Sequence, residues 1–197
     1  MKNSRTATIS RKTKETEIEG TINLDGSGNY QINTGIPFFN HLLESMAKHG
    51  RFDIQIRAKG DIDVDYHHLV EDTGITLGEA FKNAIGKKGG IKRFSSCCIP
   101  MDEALVRVCL DISGRPYMKY NVKLIEPVVL HFDGHLIEDF FRVFIHSAEI
   151  TLHVDRISGR NTHHIVEAVF KSFSQCLHDA SRIIYSEKEV PSTKGML

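Results

Sequence analysis

Two segments of this chain repeat one five-residue pattern: His67-His68-Leu69-Val70-Glu71 and His163-His164-Ile165-Val166-Glu167. Neutral imidazoles and carboxylates are the usual protein ligands of zinc, manganese and iron. A single His-His-x-x-Glu is a weak signal. Two copies, each opening an apolar-periodic helix, suggest a duplicated fold that builds metal sites from both halves.

The halves align around these motifs. Residues 40–44 and 138–142 each begin an amphipathic helix that runs directly into an alternating strand (52–56 and 150–154). A polar, glycine-bearing turn follows in each half, then the motif helix, from 67 to about 85 and from 163 to about 184. Earlier strands are expected at 7–11 and 17–24, and their counterparts at 105–112 and 117–122. Each half thus reads strand, strand, helix, strand, helix. The class is α+β, with helices on one face of each sheet. The first repeat is expected over 1–95, the second over 96–186, and a polar tail over 187–197. No Pro- or Ser-rich linker separates the halves, so they share one core.

Helical spacing sets how the ligands can group. Side chains at i and i+4 lie on one face, so His67 with Glu71 can grip one ion and His163 with Glu167 another. His68 and His164 project about 100° away around their helices. If a pseudo-twofold relates the halves, each spare histidine crosses to the other half's ion. The repeat adds His41, whose counterpart is Asp139. Cysteine is absent from this set and carboxylates are present, which favours manganese or iron over structural zinc. His49 lies two helical turns after His41.

Bulk properties narrow the class further. The 197 residues carry 25 basic and 25 acidic side chains. That balance gives no reason to expect nucleic acid or an anionic membrane as partner. No apolar run is long enough to span a bilayer, and the first residues have no secretory apolar core. The four cysteines (Cys97, Cys98, Cys109, Cys176) show no zinc-finger spacing and read as free, mostly buried thiols of a reducing, cytoplasmic compartment.

Further segments carry a family resemblance. They are Arg11-Lys12-Thr13-Lys14-Glu15-Thr16, Pro37-Phe38-Phe39-Asn40-His41, Asp65-Tyr66 ahead of the first motif with Asp72 after it, and Pro100-Met101-Asp102-Glu103-Ala104-Leu105. Asn161-Thr162 precede the second motif, Ala168 follows it, and Phe170-Lys171 and Pro191-Ser192-Thr193-Lys194-Gly195 complete the set. In this order, covering almost the whole chain, they resemble imidazoleglycerol-phosphate dehydratase, an enzyme of histidine biosynthesis.

The resemblance implies two tandem units like ribosomal protein S5 domain 2, two Mn²⁺ per active site, and a shell of 24 subunits with sites at subunit contacts. It assigns His41, His68, His163 and Glu167 to one ion, and His67, Glu71 and His164 to the other. At the remaining ligand position relatives have histidine and this chain has Asp139. The implied substrate is imidazole glycerol phosphate, dehydrated through an enol to a ketone. Glu15 and Glu167 are the implied proton-transfer carboxylates. Arg93, Arg115, Lys171, Ser192, Thr193, Lys194 and Gly195 are the implied phosphate and tail contacts, with His49 also near substrate. Ser45 stands where relatives often carry a longer polar side chain. Lys87 and Lys88 read as surface charges. Two other classes compete: a helical di-metal storage bundle, which would lack sheets, and a two-metal phosphatase, which would release phosphate.

Overall fold

The computed structural model describes residues 5–186, 188–195 and 197. Residues 1–4, Glu187 and Met196 lie outside it, and with them the first residues of the expected first repeat and parts of the expected tail.

The first half runs β1 (Thr6–Lys12), β2 (Thr16–Asn23), β3 (Tyr30–Asn33), α1 (Pro37–Gly50), β4 (Asp53–Gly60) and α2 (His67–Ile85). The second runs β5 (Phe94–Met101), β6 (Ala104–Asp111), β7 (Tyr117–Asn121), the short pair β8 (Val128–Val129) and β9 (Phe132–Asp133), then α3 (Leu136–Ala148), β10 (Thr151–Ser158) and α4 (Thr162–Ser181). The sheets have equivalent orders, β1-β2-β4-β3 and β5-β6-β10-β7. In each, the last strand in that order pairs parallel and the others antiparallel. The α+β class with duplicated sheet-plus-helix units is therefore present, and two four-stranded sheets remove the storage-bundle reading.

Two strands differ from the sequence expectation. β3 and β5 were not anticipated, so each four-stranded sheet takes three of its strands from ahead of the first long helix of its half. β3 has four residues and little alternation. β5 is rich in small and polar residues and contains Pro100, which an edge strand tolerates because one row of its backbone groups faces away from the sheet. The counterparts of β1 and β2 are consequently β5 and β6, one strand earlier than 105–112 and 117–122 suggest. The second sheet opens at Phe94, so a division between 95 and 96 would cut β5.

Alternation puts one face of each sheet inward: Ile18 and Ile22 on β2, Ile54 and Ile56 on β4, Val106 and Val108 on β6, Leu152 and Val154 on β10. α2 covers the first sheet and α4 the second. The helices then pair across the halves, α3 along α2 and α1 along α4, enclosing one continuous core. Phe140, Phe141, Phe144, Phe170 and Phe173 fill its centre, with ring separations such as 4.9 Å for Phe141–Phe173. The repeat extends to helix ends: α1 and α3 both stop on a left-handed residue, Arg51 and Glu149.

Gly74 and Gly78 let α2 approach α3. A side-chain carbon on Gly78 would stand 2.6 Å from the Phe144 carbonyl oxygen and 2.8 Å from Ser147 Cβ. Ala is the better helix former by about 1 kcal/mol, but overpacking costs about 1–3 kcal/mol. Gly78→Ala is expected to lower the chemical-unfolding midpoint; a raised midpoint would show that the helices are not held this close.

Candidate active site

Both motifs sit at helix N-termini, and a side chain two residues earlier holds the backbone of each first histidine. The Asp65 side chain accepts the His67 backbone N–H at 2.8 Å, and Asn161 accepts that of His163 at 3.0 Å.

α1 lies along α4, so His41 meets the second motif. His41 Nε2 and His163 Nε2 each stand 3.3 Å from Glu167 Oε2. Donor atoms of all three lie within 4.8 Å of one another. Phe38 backs the group, its ring 5.1 Å from that of His163. Glu167 is 7% exposed, and its other oxygen, Oε1, accepts from Lys171 Nζ at 2.7 Å. Burial alone would raise this carboxyl; the hydrogen bonds from Lys171 and His41, with their charges, outweigh it and hold its pKa below the ordinary value. The donor types and their convergence fit a divalent cation.

The second set is looser. Glu71 Oε2 lies 3.9 Å from His67 Nε2, whereas Asp139 Oδ2 lies 3.8 Å from Nδ1 on the other side of that ring. Asp139 Oδ1 also accepts from Arg142 at 2.8 Å. Asp139 and Glu71 therefore do not converge on one nitrogen of His67, as two ligands of its ion would.

Neither spare histidine crosses to the other half within the chain. His68 Nδ1 bonds Asp61 at 3.0 Å, with Glu15 Oε2 at 3.8 Å. His164 Nδ1 bonds Glu103 at 2.8 Å. The Asp61 hydrogen bond raises the His68 pKa. The contact with His164 and backbone N–H groups of Asn161 and Arg160 lower the Glu103 carboxyl to about 2.

Glu15 lies in the β1–β2 turn. Arg11 Nε donates to the buried Asp72 on α2 at 2.8 Å, and Thr16 donates to the same carboxylate. These contacts pin the turn against the helix that carries the first motif. His49 is exposed on α1; partial burial, then the Lys171 charge, lower its pKa. The Ser45 hydroxyl, one turn after His41, is buried and has no hydrogen-bond partner among the described residues.

Arg93, Arg115, Ser192, Thr193 and Lys194 line a cavity of about 360 Å³ with Pro191 and Leu197. Arg93 is oriented by paired bonds to Asp111, 2.8 and 3.2 Å, and by a 2.7 Å bond to the Pro191 carbonyl. Gly195 shapes the tail turn, with φ +69° and its N–H on the Ser192 carbonyl. Lys171 is not in this group, being engaged by Glu167.

The sequence reading missed three things. Lys88 is buried rather than a surface charge, 7% exposed, with Nζ 3.4 Å from where a side-chain carbon on Gly114 would stand. Cys98 and Cys109 are exposed, while Cys176 is buried with Cys97 Sγ 3.1 Å away. Asp61 and Glu103 were not singled out as histidine partners; the place of Glu103 ahead of β6, matching that of Glu15 ahead of β2, was the available signal.

Comparison with known proteins identifies the family. The family model for imidazoleglycerol-phosphate dehydratase matches residues 34–177. Relatives of that name from Caldicellulosiruptor saccharolyticus and Caldanaerobacter subterraneus are 50% identical over 195 residues and 52% identical over 193. They cover 99% and 98% of this chain and 100% of their own length. The crystal structure of the Staphylococcus aureus enzyme superposes with a TM-score of 0.81 at 39% identity, covering 89% of this chain and 97% of that one. The Pyrococcus furiosus enzyme in complex with (S)-C348 gives 0.82 at 36%, covering 96% and 100%. By sequence and fold, this chain belongs to the imidazoleglycerol-phosphate dehydratase family.

Proposed function

We propose that this hydro-lyase of histidine biosynthesis removes water from D-erythro-imidazoleglycerol phosphate, giving imidazoleacetol phosphate, with two Mn²⁺ per active site. The observation that carries this reading is the convergence of His41, His163 and Glu167 on one point. His41, His163 and Glu167 hold one ion together with His68 of another subunit. His67 and Glu71 hold the second with His164 of another subunit. Asp139, on the Nδ1 side of His67, steadies that ring rather than serving as fourth ligand. The bound ions supply Lewis-acid polarisation and a template for the substrate's imidazole. An assembly of 24 subunits in the cytoplasm fits chains whose ligand sets are incomplete alone. No helix among the described residues is long and apolar enough to cross a membrane.

The residues divide the remaining work. Arg93 and Arg115 match a phosphate's geometry with planar N–H forks, and the Ser192–Gly195 turn adds hydroxyl and backbone donors beside Lys194. His49, two turns after His41 near the C-terminal end of α1, feels the charges of Lys171 and Glu167 and serves as a further substrate contact. Glu15 and Glu167 are the carboxylates available to take and return protons, and Glu15, half exposed beside His68, is the one not committed to an ion.

The test is ketone formation from imidazoleglycerol phosphate after chelation and Mn²⁺ add-back. No turnover with fully loaded protein would overturn the reading, and phosphate release would indicate a phosphatase. The same titration tests pH dependence. Only neutral imidazole binds metal, and the raised His68 pKa lets protons compete above the ordinary histidine value of about 6.5. Mn²⁺ affinity is therefore expected to fall about tenfold or more from pH 7.5 to 6. Equal affinity by calorimetry at both pH values would contradict the ligand assignment.

A further inference from the structure

The two spare histidines are held from behind by carboxylates that the repeat supplies in different ways. A carboxylate accepts hydrogen bonds and donates none, so an imidazole facing one through Nδ1 carries its proton there and keeps the Nε2 lone pair for a metal. Glu103 does this for His164 at 2.8 Å. Its other oxygen, Oε1, accepts the N–H groups of Arg160 at 3.1 Å and Asn161 at 2.8 Å. In the first half Glu15 occupies the place of Glu103: each immediately precedes the second strand of its sheet. Yet Glu15 stands 3.8 Å from His68 Nδ1, because Asp61 reaches that nitrogen first, at 3.0 Å. The cause lies in the turn after the third paired strand. After Gly60 the first half places a carboxylate, Asp61. After Gly159 the second half turns the backbone N–H groups of Arg160 and Asn161 toward Glu103.

We propose that Glu103 and Asp61 are positioning residues that fix His164 and His68 with Nε2 available to metal, and that Asp61 thereby frees Glu15, the repeat counterpart of Glu103, for the substrate. Duplication thus yields two hairpin carboxylates with different tasks, one anchored behind a ligand and one left mobile enough to meet a proton. The inference rests on the ligand reading above, and the variants separate the two.

Glu103→Gln is the decisive substitution. Its amide oxygen can still accept the Arg160 and Asn161 N–H groups, while its NH₂ faces His164 Nδ1 and drives the imidazole proton to Nε2. Mn²⁺ affinity, read by electron paramagnetic resonance of the free ion, is expected to fall about 10–100-fold with an unchanged unfolding midpoint. Magic-angle-spinning spectra of sedimented, metal-free ¹⁵N-histidine protein should show the His164 proton moving from Nδ1 to Nε2. The His164 signals are identified by their loss in His164→Gln. Asp61→Ala is expected to let Glu15 swing onto His68 Nδ1, keeping Mn²⁺ affinity within about threefold while kcat drops at least tenfold at unchanged KM. Wild-type Mn²⁺ affinity in Glu103→Gln, with affinity lost in His164→Gln, overturns the positioning role but leaves the ligand reading intact. Retained affinity in His164→Gln overturns the ligand reading and the inference together. Unchanged kcat in Asp61→Ala overturns the claim that Asp61 frees Glu15.

Discussion

Glu167→Gln is expected to lower kcat by about three orders of magnitude and leave the protein folded. Glu167 Oε2 faces both His41 and His163, while Oε1 faces Lys171. A glutamine must turn its NH₂ toward one side. Facing the histidines, it offers a donor where a cation's anionic ligand belongs; facing Lys171, it opposes one donor with another. Either arrangement also removes the negative charge that a shared cation and Lys171 balance. The fold should tolerate the change, because glutamine keeps the shape of glutamate at this buried second-turn position of α4 and the phenylalanine core is untouched. The check pairs kcat with Mn²⁺ stoichiometry and Tm. A variant retaining a tenth of wild-type kcat would remove Glu167 from the chemistry. A Tm loss beyond about 8 °C would mean that lost stability, not lost charge, explains inactivity.

The sequence was informative where local periodicity coincided with chemistry. The two motif helices, their matched positions and the His41–Asp139 correspondence follow from spacing alone, because helix geometry fixes which side chains share a face. β3 and β5 escaped for opposite reasons: β3 is too short to show alternation, and β5 trades apolar residues for serine, cysteine and proline at a sheet edge. The site had a similar limit. Residue types at His68 and His164 suit ligation, but the direction of each ring depends on Asp61, seven residues before His68, and on Glu103, 61 residues before His164, and helical spacing speaks to neither. Asp139 shows the same dependence. Its chemistry permits ligation, and only the packing of α3 along α2 puts it at Nδ1 of His67, opposite Glu71. Lys88 reads as a surface lysine in a Lys-Lys-Gly-Gly run, and only the fold reveals its burial beside the Ser113–Arg115 turn.

Two inactive variants are expected to restore each other when made together. His41, His163 and Glu167 form one group, and His67 with Glu71 another, on separate helix pairs of the chain. His68 and His164, which would complete them, are instead turned onto Asp61 and Glu103. If the missing ligands come from a neighbouring subunit, the α4 end of one chain must meet the α2 end of another. His67→Ala then disables only sites to which a chain contributes α2, and Glu167→Gln only those to which it contributes α4. Each variant alone has every site broken. In a mixed assembly with random placement, about a quarter of the contacts join the intact α4 end of a His67→Ala chain to the intact α2 end of a Glu167→Gln chain. Co-expressed variants should therefore recover about a quarter of wild-type kcat per site at wild-type KM. Sites closed within one chain predict none, since every chain would carry one lesion in its own site. Activity no higher than the sum of the separate variants, in assemblies shown by native mass spectrometry to contain both chains, would place both ions within a single subunit. His68 and His164 would then have to rotate off their carboxylates when metal binds.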